Sequence, residues 1–425
     1  MAGIYVHIPF CRSRCIYCDF YSTTREVEIP RYVEALCHEI EGRRNELKDA
    51  RVRTIYIGGG TPSLLSMEQL QRILDCIATN YVVEAEAEVT VEMNPDDWPL
   101  SISPRGEDSL SSGKKNDNIS LAAPSPTRGT ESVAVNRISL GIQSFDDGLL
   151  RFIRRRHDAQ TAIRTVRRLQ EAGISNISID LIYGLPGQTM AQWEHDLDVA
   201  LSLDIQHLSA YALSYEEGTQ LARWRREGKV EETPEEMSVA MYERLCLRAE
   251  AAGFEHYEIS NFALPGYRSR HNSSYWTGEP YLGFGPGAHS YDGERTRRAN
   301  RPALDEYVVK LKDTSEGGNM QKNDNVLKKL SMFQSFNLST FETLSDSDLY
   351  DEAVMCGLRT CQGVDVESIA ARFGTMRSEY LLAAATPHLQ AGRLVLADGC
   401  LRLTRQALMT SDDVMSDLMA AETEN

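Results

Sequence analysis

Ile4-Tyr-Val-His-Ile-Pro-Phe-Cys-Arg-Ser-Arg-Cys-Ile-Tyr-Cys-Asp-Phe20 is the stretch from which the fold is read. Ile4 to Ile8 has the composition of a short strand, and Pro9, which cannot donate to a ladder, ends it. Cys11, Cys15 and Cys18 follow on a loop, at offsets of four and three. Thiolates this close in sequence can wrap one compact metal centre. A structural zinc site draws on four protein ligands. Three cysteines with no fourth nearby suit an iron–sulfur cube whose last iron is open to another ligand. Three packed thiols or a zinc site are the plain alternatives.

Outward from this loop, short β-type runs alternate with helical patterns. Strands are expected near 4–8, 53–57, 88–93, 137–142, 176–182 and 207–213, and helices near 30–48, 66–80, 158–172, 190–202 and 234–252. Such alternation implies right-handed crossovers and a parallel sheet. Six strands are too few for a closed eight-stranded barrel, so a partial barrel or an open sheet is expected. The strand faces say more, because alternate residues point to opposite sides. Ile4, Val6, Ile8, Ile55, Ile57, Val89, Val91, Met93, Ile138, Leu140, Ile142, Ile177, Ile179 and Leu181 form an apolar set that can pack under helices. The other set is Tyr5, His7, Tyr56, Gly58, Thr90, Glu92, Asn94, Ser139, Gly141, Gln143, Ser178 and Asp180. Buried parallel strands usually read apolar on both faces. A face that stays polar from strand to strand calls for a lumen holding a polar ligand.

The chain has 425 residues, of which 42% are hydrophobic, enough for a sizeable core. Its formal net charge of −17 argues against a nucleic-acid footprint, which needs a basic patch. No apolar stretch reaches the ~18 residues of a membrane span. The N-terminus has no signal-like pattern. Nine cysteines, three of them clustered, point to a reducing compartment, so the cytoplasm is expected. Cys37, Cys76, Cys246, Cys356, Cys361 and Cys400 are scattered and read as packing residues.

Two stretches break the pattern. Ser101 to Thr130 holds seven Ser, three Pro, three Gly and no aromatic residue. It reads as a disordered insertion, residues 101–130, in place of the helix expected after the third strand. Asp313 to Asn325 reads as a polar loop. Beyond it, helices are expected at 349–361 and 366–373, and a hairpin of Leu394 to Ala397 with Leu401 to Leu403 around Asp398-Gly399. Together they suggest a smaller winged-helix-like α+β unit. The expected division is a core of residues 1–295 and a C-terminal domain of residues 296–425.

Several motifs carry chemistry. Gly58-Gly-Gly-Thr-Pro-Ser63 ends the second strand, where α/β folds bind ligands and where glycine lets backbone approach closely. Glu92, in Val91-Glu-Met-Asn-Pro95, can accept hydrogen bonds from ribose hydroxyls, or serve a structural ion pair. Gln143 ends the fourth strand. Arg155 lies in a basic run and can pair a ligand carboxylate in bidentate fashion. Asp180, among apolar neighbours, needs a partner if buried. His271 and Tyr275 are four apart, and both residue types can be haem axial ligands. His289, on a Gly-rich loop, is a second candidate.

The cysteine loop, the Gly58–Ser63 motif, Gly141-Ile-Gln-Ser-Phe145, Asp180-Leu-Ile-Tyr-Gly-Leu-Pro186 and Tyr211-Ala-Leu-Ser-Tyr-Glu-Glu-Gly218 resemble, in order, the coproporphyrinogen dehydrogenase-like group of radical S-adenosylmethionine (SAM) proteins. The resemblance is good over residues 2 to 300 and looser over 350 to 425. It implies an α/β fold: a partial (β/α)6 barrel with a smaller C-terminal domain, a 4Fe-4S cluster and bound SAM. By resemblance the cluster ligands fall on Cys11, Cys15 and Cys18. SAM contacts fall on Tyr5, Gly59, Gly60, Thr61 and Glu92. Further contacts, which hold a second SAM in the dehydrogenases, fall on Gln143, Arg155 and Asp180, with Ala212 also matching.

The branch resembled most is the HemW-type heme chaperones. The dehydrogenases carry a fourth cysteine where this chain has Phe20, and an extension before the first strand. His271-Asn-Ser-Ser-Tyr-Trp276 is similar to the chaperone signature. The implied function is heme binding and delivery of heme to membrane-bound acceptor proteins. The competing expectation is oxygen-independent oxidative decarboxylation of coproporphyrinogen III by a deoxyadenosyl radical.

Overall fold

The structure is a computed structural model that describes residues 1–47, 50–97, 133–316 and 338–420. Six strands form its centre: β1 (Ala2–Ile8), β2 (Val52–Gly59), β3 (Val83–Met93), β4 (Arg137–Gln143), β5 (Ile177–Tyr183) and β6 (His207–Ala212). They pair in sequence order and all in parallel. The crossovers contain α1 (Ile29–Gly42), α2 (Met67–Asn80), α3 (Asp147–Phe152) with α4 (Ala159–Glu171), and α5 (Met190–Leu201). The expected insertion at 101–130 lies outside the described residues, as does most of the crossover from β3 to β4.

These helices start where the sequence supplies caps. Ser66 and Thr189 each accept from a backbone N–H three residues on, and Gln69 and Gln192 close the two capping boxes. Asp158 caps α4 in the simpler way. The strand face read as apolar, from Ile4 to Leu181, is buried in one continuous core under the helices. At about 25 cal/mol per Å² of apolar area removed from water, this layer is the main favourable contribution to folding.

The first helix ends at Gly42 rather than near residue 48. Arg43 then turns its side chain inward, where it is 1% exposed. It donates to Glu39 Oε1 (2.9 Å), the Gly283 carbonyl (2.6 Å), Ser290 Oγ (3.0 Å) and Glu46 Oε2 (2.9 Å). A buried guanidinium satisfied this fully outweighs the continuation of an amphipathic pattern.

The sheet continues beyond the six strands on both sides. On one side lie α6 (Gln220–Arg226), α7 (Glu235–Ala251) and the hairpin β7 (Glu255–Glu258) and β8 (Asn261–Ala263), which pairs antiparallel to β6. After α8 (Arg270–Trp276), β9 (Tyr281–Phe284) adds parallel to β1 on the far side. Then come β10 (His289–Tyr291), β11 (Thr296–Asn300), α9 (Leu304–Glu316) and β12 (Ser339–Thr343), giving twelve strands in one sheet. The helix α9 covers Asp313 to Glu316, the start of the stretch expected to be a loop; the rest of that stretch lies outside the described residues.

A boundary at 295/296 falls between β10 and β11, which are hydrogen-bonded neighbours. We place the division at 343/344 instead. There a separate core begins, built on Tyr350, Val354, Leu358, Ile369, Leu381, Leu401 and Leu418. Its order is α10 (Asp346–Arg359), β13 (Val364–Asp365), α11 (Val366–Phe373), α12 (Thr375–Gln390), β14 (Leu394–Ala397), β15 (Cys400–Leu403) and α13 (Ser411–Leu418). Helix, short strand, two helices and a hairpin is the winged-helix order. It is tied to the barrel by Arg359, which pairs with buried Glu258 at 3.0 Å and lies over the Trp276 ring. Among the described residues no helix is long and apolar enough to cross a membrane.

Candidate functional site

The polar strand face encloses a cavity of about 500 Å³. Its walls run from Tyr56 on β2 through Glu92, Ser139 and Asp180 to Ser209 and Tyr211 on β6. Asn272 of α8 also reaches it, because α8 closes the gap between the sheet's two flanks. Glu88 of β3 anchors this helix by accepting from the backbone N–H groups of Arg270 and His271, both at 3.0 Å. The carboxylate thus sits at the helix's N-terminal end, where its charge is favoured.

Cys11, Cys15 and Cys18 all line the mouth of this cavity. The loop is pinned by Cys11 N to the Thr23 carbonyl and Thr23 N to the Pro9 carbonyl (2.9 and 2.8 Å). Thr61 Oγ1 donates to Cys11 Sγ at 3.4 Å, and Arg155 Nη1 to Cys15 Sγ at 3.6 Å. Burial pushes the Cys18 thiol up to about 11 and raises that of Cys11. Metal binding here would therefore release protons. Among the described residues no His, Cys, Asp and Glu side chains group tightly enough to hold one metal ion. Three cysteines lining one cavity without forming a single-ion ligand group suit a cluster better than a single zinc.

The Gly58–Gly60 turn packs against this loop at backbone distance. A Cβ at Gly60 would lie 2.6 Å from the Phe10 carbonyl oxygen. At Gly59, where φ is +106°, it would lie 2.5 Å from His7 Nδ1. Only glycine fits either position. Gly59 N donates to Glu92 Oε2 at 3.0 Å, and Tyr56 Oη to Glu92 Oε1 at 2.8 Å. Burial still pushes the Glu92 carboxyl up to about 7, against those two bonds.

Opposite, Gln143 enters the cavity from a bulge. The β4–β5 register slips between Gly141 and Gln143, and Gln143 takes a φ of 74°. Arg155 donates to Asn94 Oδ1 at 2.6 Å and to the Gly141 carbonyl, yet its buried Nε has no hydrogen-bond partner among the described residues. Asp180 accepts weakly from Ser139 Oγ at 3.4 Å, and burial raises its pKa. Buried charges of both signs around one cavity, with a spare Arg155 donor and a weakly held Asp180, suit a zwitterionic ligand with hydroxyl groups. The cysteine set and this lumen therefore fit a cluster with SAM.

The structure thus brings Cys11, Cys15, Cys18, Gly59, Gly60, Thr61, Glu92, Gln143, Arg155, Asp180 and Ala212 to one cavity. Tyr5 stands behind it. Its ring stacks on Tyr56 at 6.2 Å, and its hydroxyl meets His7 Nδ1 at 3.1 Å. His271 and Tyr275 also lie behind the lumen. His271 is 1% exposed, with Nδ1 hydrogen-bonded to Thr54 Oγ1 and Nε2 to Tyr275 Oη, both at 2.8 Å. Burial pushes its pKa down to about 3. Neither ring nitrogen is free in this arrangement. His289 is exposed on the β10 strand.

Arg137 is a site residue that the motifs did not flag. It is 1% exposed, lines the cavity, and its Nε has no hydrogen-bond partner among the described residues. The signal was the alternation itself: Arg137 precedes Ser139, Gly141 and Gln143 on the inward face of β4.

A profile described as the Radical SAM superfamily matches residues 5–200, and one described as the HemN C-terminal domain matches 344–410. Heme chaperone HemW of Bacillus subtilis is 32% identical over 418 residues, covering 97% of this chain and 98% of that protein. Heme chaperone HemW of Lactococcus lactis is 40% identical over 288 residues, 68% of this chain and 69% of that protein. The mitochondrial radical S-adenosyl methionine domain-containing protein 1 of Danio rerio is 30% identical over 427 residues, 98% of this chain and 87% of that protein. Among solved structures, the coproporphyrinogen III oxidase HemN of Escherichia coli superposes with a TM-score of 0.75 at 19% identity, over 99% of this chain and 90% of that one. That likeness establishes the shared fold.

Proposed function

Because the chain belongs to the HemW heme chaperone family of the radical SAM superfamily, we propose that it binds heme and, with a 4Fe-4S cluster and SAM, delivers it to membrane-bound acceptor proteins. The observation that carries this reading is the convergence of Cys11, Cys15 and Cys18 with Glu92, Arg155 and Asp180 on one cavity. The three cysteines would hold the cluster. Arg155 and the Gly58–Gly60 backbone would hold the charged end of SAM, and Glu92 its hydroxyls. When bound, cluster and SAM supply one-electron chemistry; the chain's own contribution is to position them and shield them from water. At the mouth, Phe20 is 59% exposed and Tyr211 41%. Exposed aromatic faces beside an open cavity offer a planar apolar ligand a stacking surface.

The test is an equilibrium heme titration of anaerobically reconstituted full-length protein, with a porphyrinogen assay on the same sample. Saturable heme binding without porphyrinogen turnover is expected. Absence of saturable binding, with or without the cluster, overturns the reading. Protoporphyrinogen formed over many turnovers would replace it with oxidative decarboxylation of coproporphyrinogen III.

A further inference from the structure

Outside the cavity, a second pair of cysteines faces each other across two crossover helices. Cys37 is on α1 and Cys76 on α2, and both are partly exposed. The Cys76 thiol donates to the Cys37 carbonyl at 3.5 Å, and the two thiols shift one another's pKa in opposite directions. Arg72, one turn earlier on α2, puts its positive charge near the Cys37 thiol. Asn80, one turn later, reaches the Cys76 sulfur at 3.8 Å. We propose that Cys37 and Cys76 are a thiol-modification site, which forms a reversible disulfide by exchange with small-molecule disulfides of the glutathione class.

The surroundings assign the roles. Cys37 is the attacking thiol. The adjacent Cys76 thiol and the neighbouring Arg72 cation both stabilise its thiolate and lower its pKa. Cys76 is pushed the other way by the same contact and by burial, which suits a resolving thiol that stays protonated until the first step is over. In the first step the Cys37 sulfur bonds to one sulfur of the small disulfide and the other sulfur leaves as a thiolate. In the second, Cys76 loses its proton and bonds to Cys37 Sγ, and the second small thiolate leaves. Two protein thiols are oxidised by two electrons, and one disulfide is reduced to two thiols. The bond staples α1, which follows the Cys11–Cys18 loop, to α2, which follows the Gly58–Gly60 turn.

The test treats the cluster-reconstituted full chain anaerobically with oxidised glutathione, then maps peptides under non-reducing conditions. Cys361, which is exposed, serves as the internal reference for simple accessibility. The expected product is a Cys37–Cys76 cross-linked peptide formed faster than Cys361 is glutathionylated. Cys76→Ser should instead leave a stable glutathione adduct on Cys37, and Arg72→Leu should slow modification of Cys37 by about tenfold. Cys37 and Cys76 still free when Cys361 is fully modified would overturn the proposal. So would an unmodified Cys37 in the Cys76→Ser protein.

Discussion

Arg155 donates from Nη1 to the Cys15 sulfur at 3.6 Å and from Nη2 to Asn94 Oδ1 at 2.6 Å. One guanidinium therefore bridges the cysteine loop and the end of β3. Its third nitrogen, Nε, is buried without a partner among the described residues. A planar cation with a spare donor beside the cluster position is suited to a carboxylate. Arg155→Lys keeps the charge and loses the fork, so SAM affinity should fall about tenfold to hundredfold, the value of one charge-assisted hydrogen bond. Iron content should stay unchanged, since Arg155 is not a ligand. An unaltered SAM dissociation constant would make Arg155 a purely structural brace.

Reconstituted protein should carry about four irons and four sulfides per chain. Cys11→Ala, Cys15→Ala and Cys18→Ala each remove one of three protein ligands, and each should abolish the cluster. Cys246→Ala should not, because Cys246 is on the buried face of α7 and does not line the cavity. Iron and sulfide assays decide the matter. Full iron in the Cys15→Ala protein would sink the assignment.

The parts of this architecture written in local patterns were the legible ones. Period-two alternation separated Ile138 and Leu140 from Ser139 and Gly141, and the structure puts the first pair in the core and the second on the cavity. Capping residues and the glycine turn likewise act within a few residues of themselves. What escaped was set by contacts distant in sequence. Helix α1 stops early because Arg43 finds Gly283 and Ser290, some 240 residues on. Beyond the division read at 295/296, β11 and β12 continue the barrel's own sheet, which reaches them through the pairing of β9 with β1, far back in the chain. His271 reads locally as a solitary histidine among aromatics, while Thr54, its partner, lies 217 residues away.

Glu92 gives the ligand-free chain a signature in pH. Burial raises its folded pKa to about 7, above the unfolded carboxylate value. The folded state therefore holds this proton more tightly than the unfolded state. Its contribution to stability is complete below the unfolded pKa and is lost as pH rises through about 7. Glu92→Gln cannot ionise. The melting temperature of Glu92→Gln relative to the native chain should rise by several degrees between about pH 5 and about pH 8. Taking the difference cancels the buried histidines, which act in the opposite direction. A difference that stays flat over that range would mean the carboxylate is ionised throughout.

His271 separates a structural role from an iron-binding one. Its ring stacks on Tyr56 at 5.1 Å, and its two nitrogens hold Thr54 of β2 and Tyr275 of α8. The imidazole thus clamps the helix that closes the lumen. His271→Ala leaves two buried hydroxyls short of a partner and opens a cavity, which should cost about 2–4 kcal/mol of stability. Buried and neutral, with a pKa near 3, His271 also contributes stability that is present above about pH 6.5 and lost as pH falls below it. Loss of the ring should therefore shift the acid limb of unfolding as well as the melting temperature. His271→Asn, which can keep one of the two bonds, should recover part of the stability. If heme affinity recovers in parallel with stability in the Asn variant, His271 acts by holding α8 in place. If the melting temperature is unchanged in either variant while the heme Soret band shifts or binding is lost, the ring leaves Thr54 and Tyr275 to bind iron, and the clamp described here is not its role.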